Sequence, residues 1–123
     1  MIIGIGTDIV EINRVMRACL RWPKFPARIF TKDEWEYCNE GHNHASLAAR
    51  FAAKEAVAKA LGTGMRGMDW TEIEILNDLA GAPFATLSGK AHNIAKEKGI
   101  SQIMITLSHS KDYAVAYAVA LGG

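Results

Sequence analysis

From Ala114 to Ala120 every second residue is alanine, and Tyr113, Val115, Tyr117, Val119 and Leu121 fill the positions around them. A period of two marks a strand with two distinct faces. One face of this strand is bulky. The other is a flat surface of methyl groups, against which a helix can lie closely. Gln102 to Ser110 runs just upstream, and Lys111-Asp112 between the two stretches reads as the turn of a hairpin.

The rest of the chain supplies more strands and several helices. Residues 2–12 are rich in isoleucine and alternate, with Ile3, Ile5, Thr7 and Ile9 on one face and Gly4, Gly6, Asp8 and Val10 on the other. The two glycines leave room for a close approach on the Asp8 face. Asn13 is placed to cap a short helix that stops before Trp22-Pro23. Thr31-Lys32-Asp33-Glu34 has capping-box spacing and opens a helix expected to end near Gly41. The main helix is predicted from residue 44 to Leu61 with Gly62 at its C′ position. Its apolar stripe is Leu47, Phe51, Ala58 and Leu61, and Glu55 lies about 60° from the centre of that stripe.

Trp70 to Leu76 reads as a strand, Asn77 to Pro83 as a turn and Phe84 to Leu87 as a returning strand. Ser88 is placed to cap a helix ending at Gly99. Strands interspersed with helices and closed by a hairpin predict an α+β fold, a largely antiparallel sheet packed against a long helix.

Size and charge narrow the field. The 123 residues suit a single domain over 1–123, and a net charge of +1 offers no global field for nucleic acid. Two cysteines, Cys19 and Cys38, make no disulfide framework, so they are expected as free thiols in a reducing compartment. The apolar start lacks the basic segment of a signal peptide, and the apolar run from Tyr113 to Leu121 is half a membrane span. The expectation is a cytoplasmic protein with neither membrane nor nucleic acid as partner.

Asp8 stands out, because an ionised carboxylate in an apolar strand needs a partner. Backbone N–H groups or Arg14 could satisfy it, or a metal ion could. Glu55 and Lys59 are spaced i, i+4 with the acid first, which suits a helix salt bridge. The same pair would also serve a hard cation beside a phosphate. Magnesium takes one or two protein carboxylates and leaves its remaining positions to water and phosphate, so Asp8 and Glu55 would suffice.

His109 follows Ile103, Ile105 and Leu107 on one face, as a half-buried imidazole bonded to backbone or as a ligand contact. Ser108 beside it points the other way, which speaks against a hydrolase pair. Cys38, His42 and His44 match no zinc spacing, and Gly4-Ile5-Gly6 lacks the rest of a dinucleotide fingerprint. Arg14, Arg17 and Arg21, continued by Lys24 and Arg28, form a basic stripe that is either a solvated face or a docking surface for an acidic helix.

Two segments together resemble the paired signatures of the phosphopantetheinyl transferases. They are Gly4-Ile5-Gly6-Thr7-Asp8-Ile9-Val10-Glu11-Ile12 and Arg50-Phe51-Ala52-Ala53-Lys54-Glu55-Ala56-Val57-Ala58-Lys59. Chain length, the Gly62-Thr63-Gly64 stop and Leu107-Ser108-His109-Ser110 make the chain similar to the short type, the holo-acyl-carrier-protein synthases. The resemblance implies the phosphopantetheinyl transferase fold, assembled as a homotrimer with sites between subunits. It also implies magnesium-dependent transfer of the 4′-phosphopantetheine arm of coenzyme A to a serine of apo-acyl carrier protein. Adenosine 3′,5′-bisphosphate leaves, and the step serves fatty acid biosynthesis.

By the same resemblance Asp8 and Glu55 match magnesium ligands, and Glu55 and Lys59 the catalytic pair, with Lys59 on the diphosphate. Arg50, Gly62, Gly64, Ser108 and His109 match coenzyme A contacts, the last two from the adjacent subunit. The arginine stripe with Lys24 and Arg28 matches the carrier-docking surface. One position departs from the larger members of the family, which carry a second acid where Val10 stands here. The rival reading from the residues alone is a non-catalytic module that binds an acidic protein or nucleic acid through the Arg14, Arg17 and Arg21 stripe.

Overall fold

The computed structural model describes residues 1–39 and 44–123. The chain runs β1 (Ile2–Glu11), α1 (Ile12–Arg21), α2 (Phe25–Ile29), α3 (Lys32–Asn39) and α4 (His44–Ala60). After a 3-10 turn at Trp70–Glu72 come β2 (Ile73–Asn77), β3 (Pro83–Leu87), α5 (Gly89–Glu97), β4 (Ile100–His109) and β5 (Tyr113–Gly122). The fold is α+β and every strand pair is antiparallel, but the strands form two sheets rather than one. β5 lies between β1 and β4, while β2 and β3 pair separately.

The alanine face of β5 does what its flatness allows. Ala114, Ala116, Ala118 and Ala120 are buried, and α4 lies across them and across β1. Gly4 and Gly6 of β1 sit directly under α4. A Cβ at either would stand 2.0 Å from the carbonyl oxygen of Ala60 or Ala56. The register pairs Gly4 with Ala120, Gly6 with Ala118 and Asp8 with Ala116, so Asp8 shares the helix-facing side of the sheet.

The pattern of α4 predicts one buried stripe, yet the helix is buried around most of its circumference. A second layer explains this: α1, α3 and β2 cover the side of α4 turned away from the three-stranded sheet. The opposite face of that sheet is left open in the single chain. Ile5 is 70% exposed, Ile9 64%, Tyr117 56% and Met104 54%.

Several boundaries differ from expectation. α1 begins at Ile12, not after Asn13, and no side chain caps it. The Ile12 N–H instead donates to the carbonyl of Asp112 at 2.8 Å, in the β4–β5 turn. The stretch from Trp70 begins as a 3-10 turn closed by a reciprocal Asp69–Glu72 capping box, so the strand starts only at Ile73. Ser88 stands at the cap position of α5 without making a cap bond; the Glu72 carboxylate receives the Lys90 N–H at 2.9 Å instead. The capping box at Thr31 forms as expected, with Thr31 N–H to Glu34 Oε1 at 2.8 Å and Glu34 N–H to Thr31 Oγ1 at 3.2 Å. The expected stop at Gly41 and the residue His42 lie outside the described residues. No described helix is long and apolar enough to cross a membrane.

Candidate active site

Asp8 and Glu55 meet where β1 passes under α4. Both are half-buried and both line one cavity of about 590 Å³. Burial pushes the Asp8 carboxyl above its ordinary range, and the neighbouring Lys59 only partly offsets this. Glu55 is pushed up too, first by burial and then by the negative charge of Asp8, against the pull of Lys59. Burial raises the cost of ionising both acids, and Asp8 adds to that of Glu55, an arrangement that favours a bound cation.

Lys59 departs from the simplest helical reading. Its ion pair is with Asp8 Oδ1 at 3.5 Å, across the layer, rather than with Glu55 one turn back. It also donates to the Thr7 carbonyl at 2.9 Å, and half of its side chain remains exposed. An ammonium that is tethered and still reachable can meet an anion beside Asp8.

The cavity has both charged and apolar lining. Glu11 and Arg14 line it with the acids, and Val15, Phe25, Phe51 and Tyr113 supply apolar and aromatic lining. Glu11 does not become a third acid facing Asp8, for its Oε1 accepts from Arg17 at 3.3 Å. Val10 occupies the position where a third acid would stand, and no group of three metal-binding side chains occurs among the described residues. The donor set is two hard carboxylate oxygens on separate elements. That suits an ion such as magnesium, which completes its shell with water and phosphate, better than a softer metal.

Other expected residues are more dispersed. Gly62 and Gly64 both have positive φ, +85° and +59°, and their N–H groups close the end of α4 onto the Lys59 and Ala58 carbonyls at 2.9 and 3.1 Å. Lys98 also reaches this end, donating to the Leu61 carbonyl. Arg50 is only 3% exposed and does not line the cavity. Its guanidinium donates to the Ser46 carbonyl at 3.3 Å and to Asn77 Oδ1, and lies 4.6 Å from the Tyr37 ring centroid.

Ser108 and His109 end β4. His109 pairs with Ala114, which pairs in turn with Val10, so two strand spacings of about 5 Å separate it from β1. It is exposed rather than half-buried, which corrects the reading of a backbone-bonded imidazole. Within one chain neither residue joins Asp8.

Arg14, Arg17, Arg21, Lys24 and Arg28 are all exposed. The first three border a groove that also holds Leu20 and Trp22, with Arg21 stacked 5.3 Å from the Trp22 ring centroid. The basic stripe therefore carries apolar anchors as well as charge.

Lys54 is the residue that sequence reasoning missed. It is fully buried and paired with the equally buried Glu34 at 2.8 Å. Burial pushes its ammonium below the ordinary lysine range, and Glu34 opposes that. The signal was present in the helix. Leu47, Phe51, Ala58 and Leu61 stand at i−7, i−3, i+4 and i+7 from Lys54, so the lysine lies within the apolar stripe.

The profile of the 4′-phosphopantetheinyl transferase superfamily matches residues 4–118 of this chain. The holo-[acyl-carrier-protein] synthase of Alkaliphilus metalliredigens (strain QYMF) is 50% identical over 121 residues, which cover 98% of this chain and 99% of that protein. The crystal structure of holo-[acyl-carrier-protein] synthase from Neisseria meningitidis matches with a TM-score of 0.89 at 40% identity, over 98% of this chain and 99% of that one. The Helicobacter pylori holo-[acyl-carrier-protein] synthase, solved in complex with coenzyme A, matches with a TM-score of 0.84 at 30% identity, over 95% of this chain and 99% of its own.

Proposed function

The chain belongs to the 4′-phosphopantetheinyl transferase superfamily and is an enzyme of that class, and on that premise we propose its substrates and mechanism. It moves the 4′-phosphopantetheine group of coenzyme A to a serine of apo-acyl carrier protein, with magnesium, in the cytoplasm and in the service of fatty acid biosynthesis. The observation that carries this reading is the meeting of Asp8 and Glu55, far apart in sequence, in one half-buried cavity beside Lys59. A non-catalytic binding module would have no use for two acids held half-buried in one cavity.

In the proposed reaction the carrier serine oxygen attacks the diphosphate phosphorus that bears the pantetheine arm. The bond from that phosphorus to the bridging oxygen breaks, and adenosine 3′,5′-bisphosphate leaves. Glu55 takes the serine proton. Lys59 holds a diphosphate oxygen and stabilises the charge that develops there. Asp8 and Glu55 would hold the magnesium ion, which when bound supplies positive charge against the phosphates. The apolar lining of the cavity, Val15, Phe25 and Phe51 among it, limits the access of bulk water to the reacting atoms.

The remaining assignments follow from the exposed surfaces. Arg14, Arg17 and Arg21, with Lys24 and Arg28, receive the acidic face of the carrier protein. The open apolar face of the β1–β5–β4 sheet joins three copies of the chain, because contiguous exposed apolar area of this kind marks an interface. Ser108 and His109 then reach coenzyme A from the neighbouring copy, and Gly62 and Gly64 contribute from the copy that holds Asp8.

A mass spectrum of apo-carrier protein after incubation with enzyme, coenzyme A and magnesium tests the reading. The expected outcome is a gain of one phosphopantetheine arm. Asp8→Ala and Glu55→Ala should each slow transfer by about a hundredfold or more, while circular dichroism reports an intact fold. Undiminished transfer by either variant would remove the two-carboxylate mechanism.

A further inference from the structure

Lys54 and Glu34 form a closed polar knot inside an apolar layer. The Lys54 ammonium donates to Glu34 Oε1 at 2.8 Å, to the Trp70 carbonyl at 3.1 Å and to the Ile73 carbonyl. Three protons meet three acceptors, which is the full capacity of a lysine. Glu34 Oε1 also receives the Thr31 N–H, and Oε2 receives the Ile75 N–H at 2.8 Å. One ion pair thereby ties α4 to α3, to the 3-10 turn and to β2.

Such a pair is a poor source of stability. Withdrawing two charges from water costs several kcal/mol, and well-packed apolar residues of similar volume often do as well. What it can supply is a defined register. The other side of α4 needs one, since it rests on the alanines of β5 and the glycines of β1. Those flat contacts set how near the helix lies. They do less to set its rotation or its height along the strands, because methyl groups interlock weakly.

Rotation matters because Glu55 is the next residue after Lys54, about 100° around the helix. Its carboxylate extends roughly 6 Å from the axis, so a turn of 10° would move it by about 1 Å. A displacement of that size is enough to cost on the order of a hundredfold in rate.

We propose that the Glu34–Lys54 pair is a positioning device that sets the rotation and height of α4, so that Glu55 and Lys59 meet Asp8 across the cavity. Lys54 and Glu34 are positioning residues and touch no substrate. The proposal rests on the two-carboxylate site described above.

The test is direct binding of manganese(II), followed by the paramagnetic resonance of the free ion, with kinetics alongside. Lys54→Met removes the tether. Glu34→Asp keeps both charges but shortens the carboxylate arm, so it decides the matter if Lys54→Met does not fold. In either folded variant the manganese affinity should weaken tenfold or more. In the same variant kcat should fall while the carrier-protein KM stays within twofold of wild type. A smaller loss of affinity, or a matching rise in carrier-protein KM, overturns the proposal, because a merely structural pair would loosen every surface alike. Asp8→Asn separates the two ideas. If it binds the ion as well as wild type does, the two-carboxylate site itself is wrong; if only the Glu34 and Lys54 variants bind normally, the positioning role alone falls.

Discussion

Single residues carry the sharpest electrostatic consequence. Glu55 is held above the ordinary carboxylate range by burial and by Asp8. Without metal, its folded-state pKa therefore exceeds its unfolded value, and the folded protein binds more protons over the interval between them. Stability must then fall as pH rises through that interval. Glu55→Gln should accordingly melt at a higher temperature than wild type at pH 7 in chelator, with the difference vanishing below about pH 4. Scanning calorimetry across pH checks this, and a wild type that melts as high as the variant at pH 7 would contradict the strain that burial and Asp8 place on Glu55. Asp8 and Glu55 were legible in the sequence because each breaks a local rule: one is an acid in an apolar strand, the other stands at the edge of an apolar stripe. Lys54 breaks the same rule more severely. It escaped notice because a lysine among alanines reads as solubilising, and because its partner Glu34, 20 positions earlier, already had a role in the capping box.

At the scale of elements, the crossing of α4 over β1 decides whether the two acids meet. Gly6 is the tightest point: a methyl group there would stand 2.0 Å from the Ala56 oxygen and 2.9 Å from the Ala60 nitrogen, both backbone atoms that cannot turn aside. Gly6→Ala should lose about 3 kcal/mol, at the upper end for overpacking, in urea unfolding. It should also lose transferase activity, since β1 can accept the methyl only by backing away with Asp8. Gly64→Ala is the contrast, with open space around it and only its positive φ to pay for, so about 1–2 kcal/mol is expected. Equal losses in the two variants would show that close approach is not what Gly6 provides. The strands and α4 were readable from periodicity because their apolar spacing is regular. The ends were not. Ile12 is capped by a carbonyl from the β4–β5 turn and α5 by Glu72, partners that no local window contains.

At the scale of the whole molecule, the decisive fact is the order β1-β5-β4. The hairpin of β4 and β5 could be read from the chain, but not the insertion of β5 between β4 and β1, which depends on long-range pairing. That order puts Asp8 on one edge of the sheet and His109 on the other. The resemblance assigns both to one kind of site, and in the proposed assembly different copies contribute them. The proposed ring of three identical chains, with heterologous contacts, would do so at every interface. Asp8→Ala and His109→Ala should each impair transfer severely when assembled alone. Unfolded together in equal amounts and refolded, they would assort at random. A site is then intact when its Asp8 comes from a His109→Ala chain and its His109 from an Asp8→Ala chain, which happens in about one site in four. The mixture should recover about a quarter of wild-type transfer, read by the same mass gain on the carrier protein. If each site were instead built within one chain, every site in the mixture would carry a defect and no activity would return.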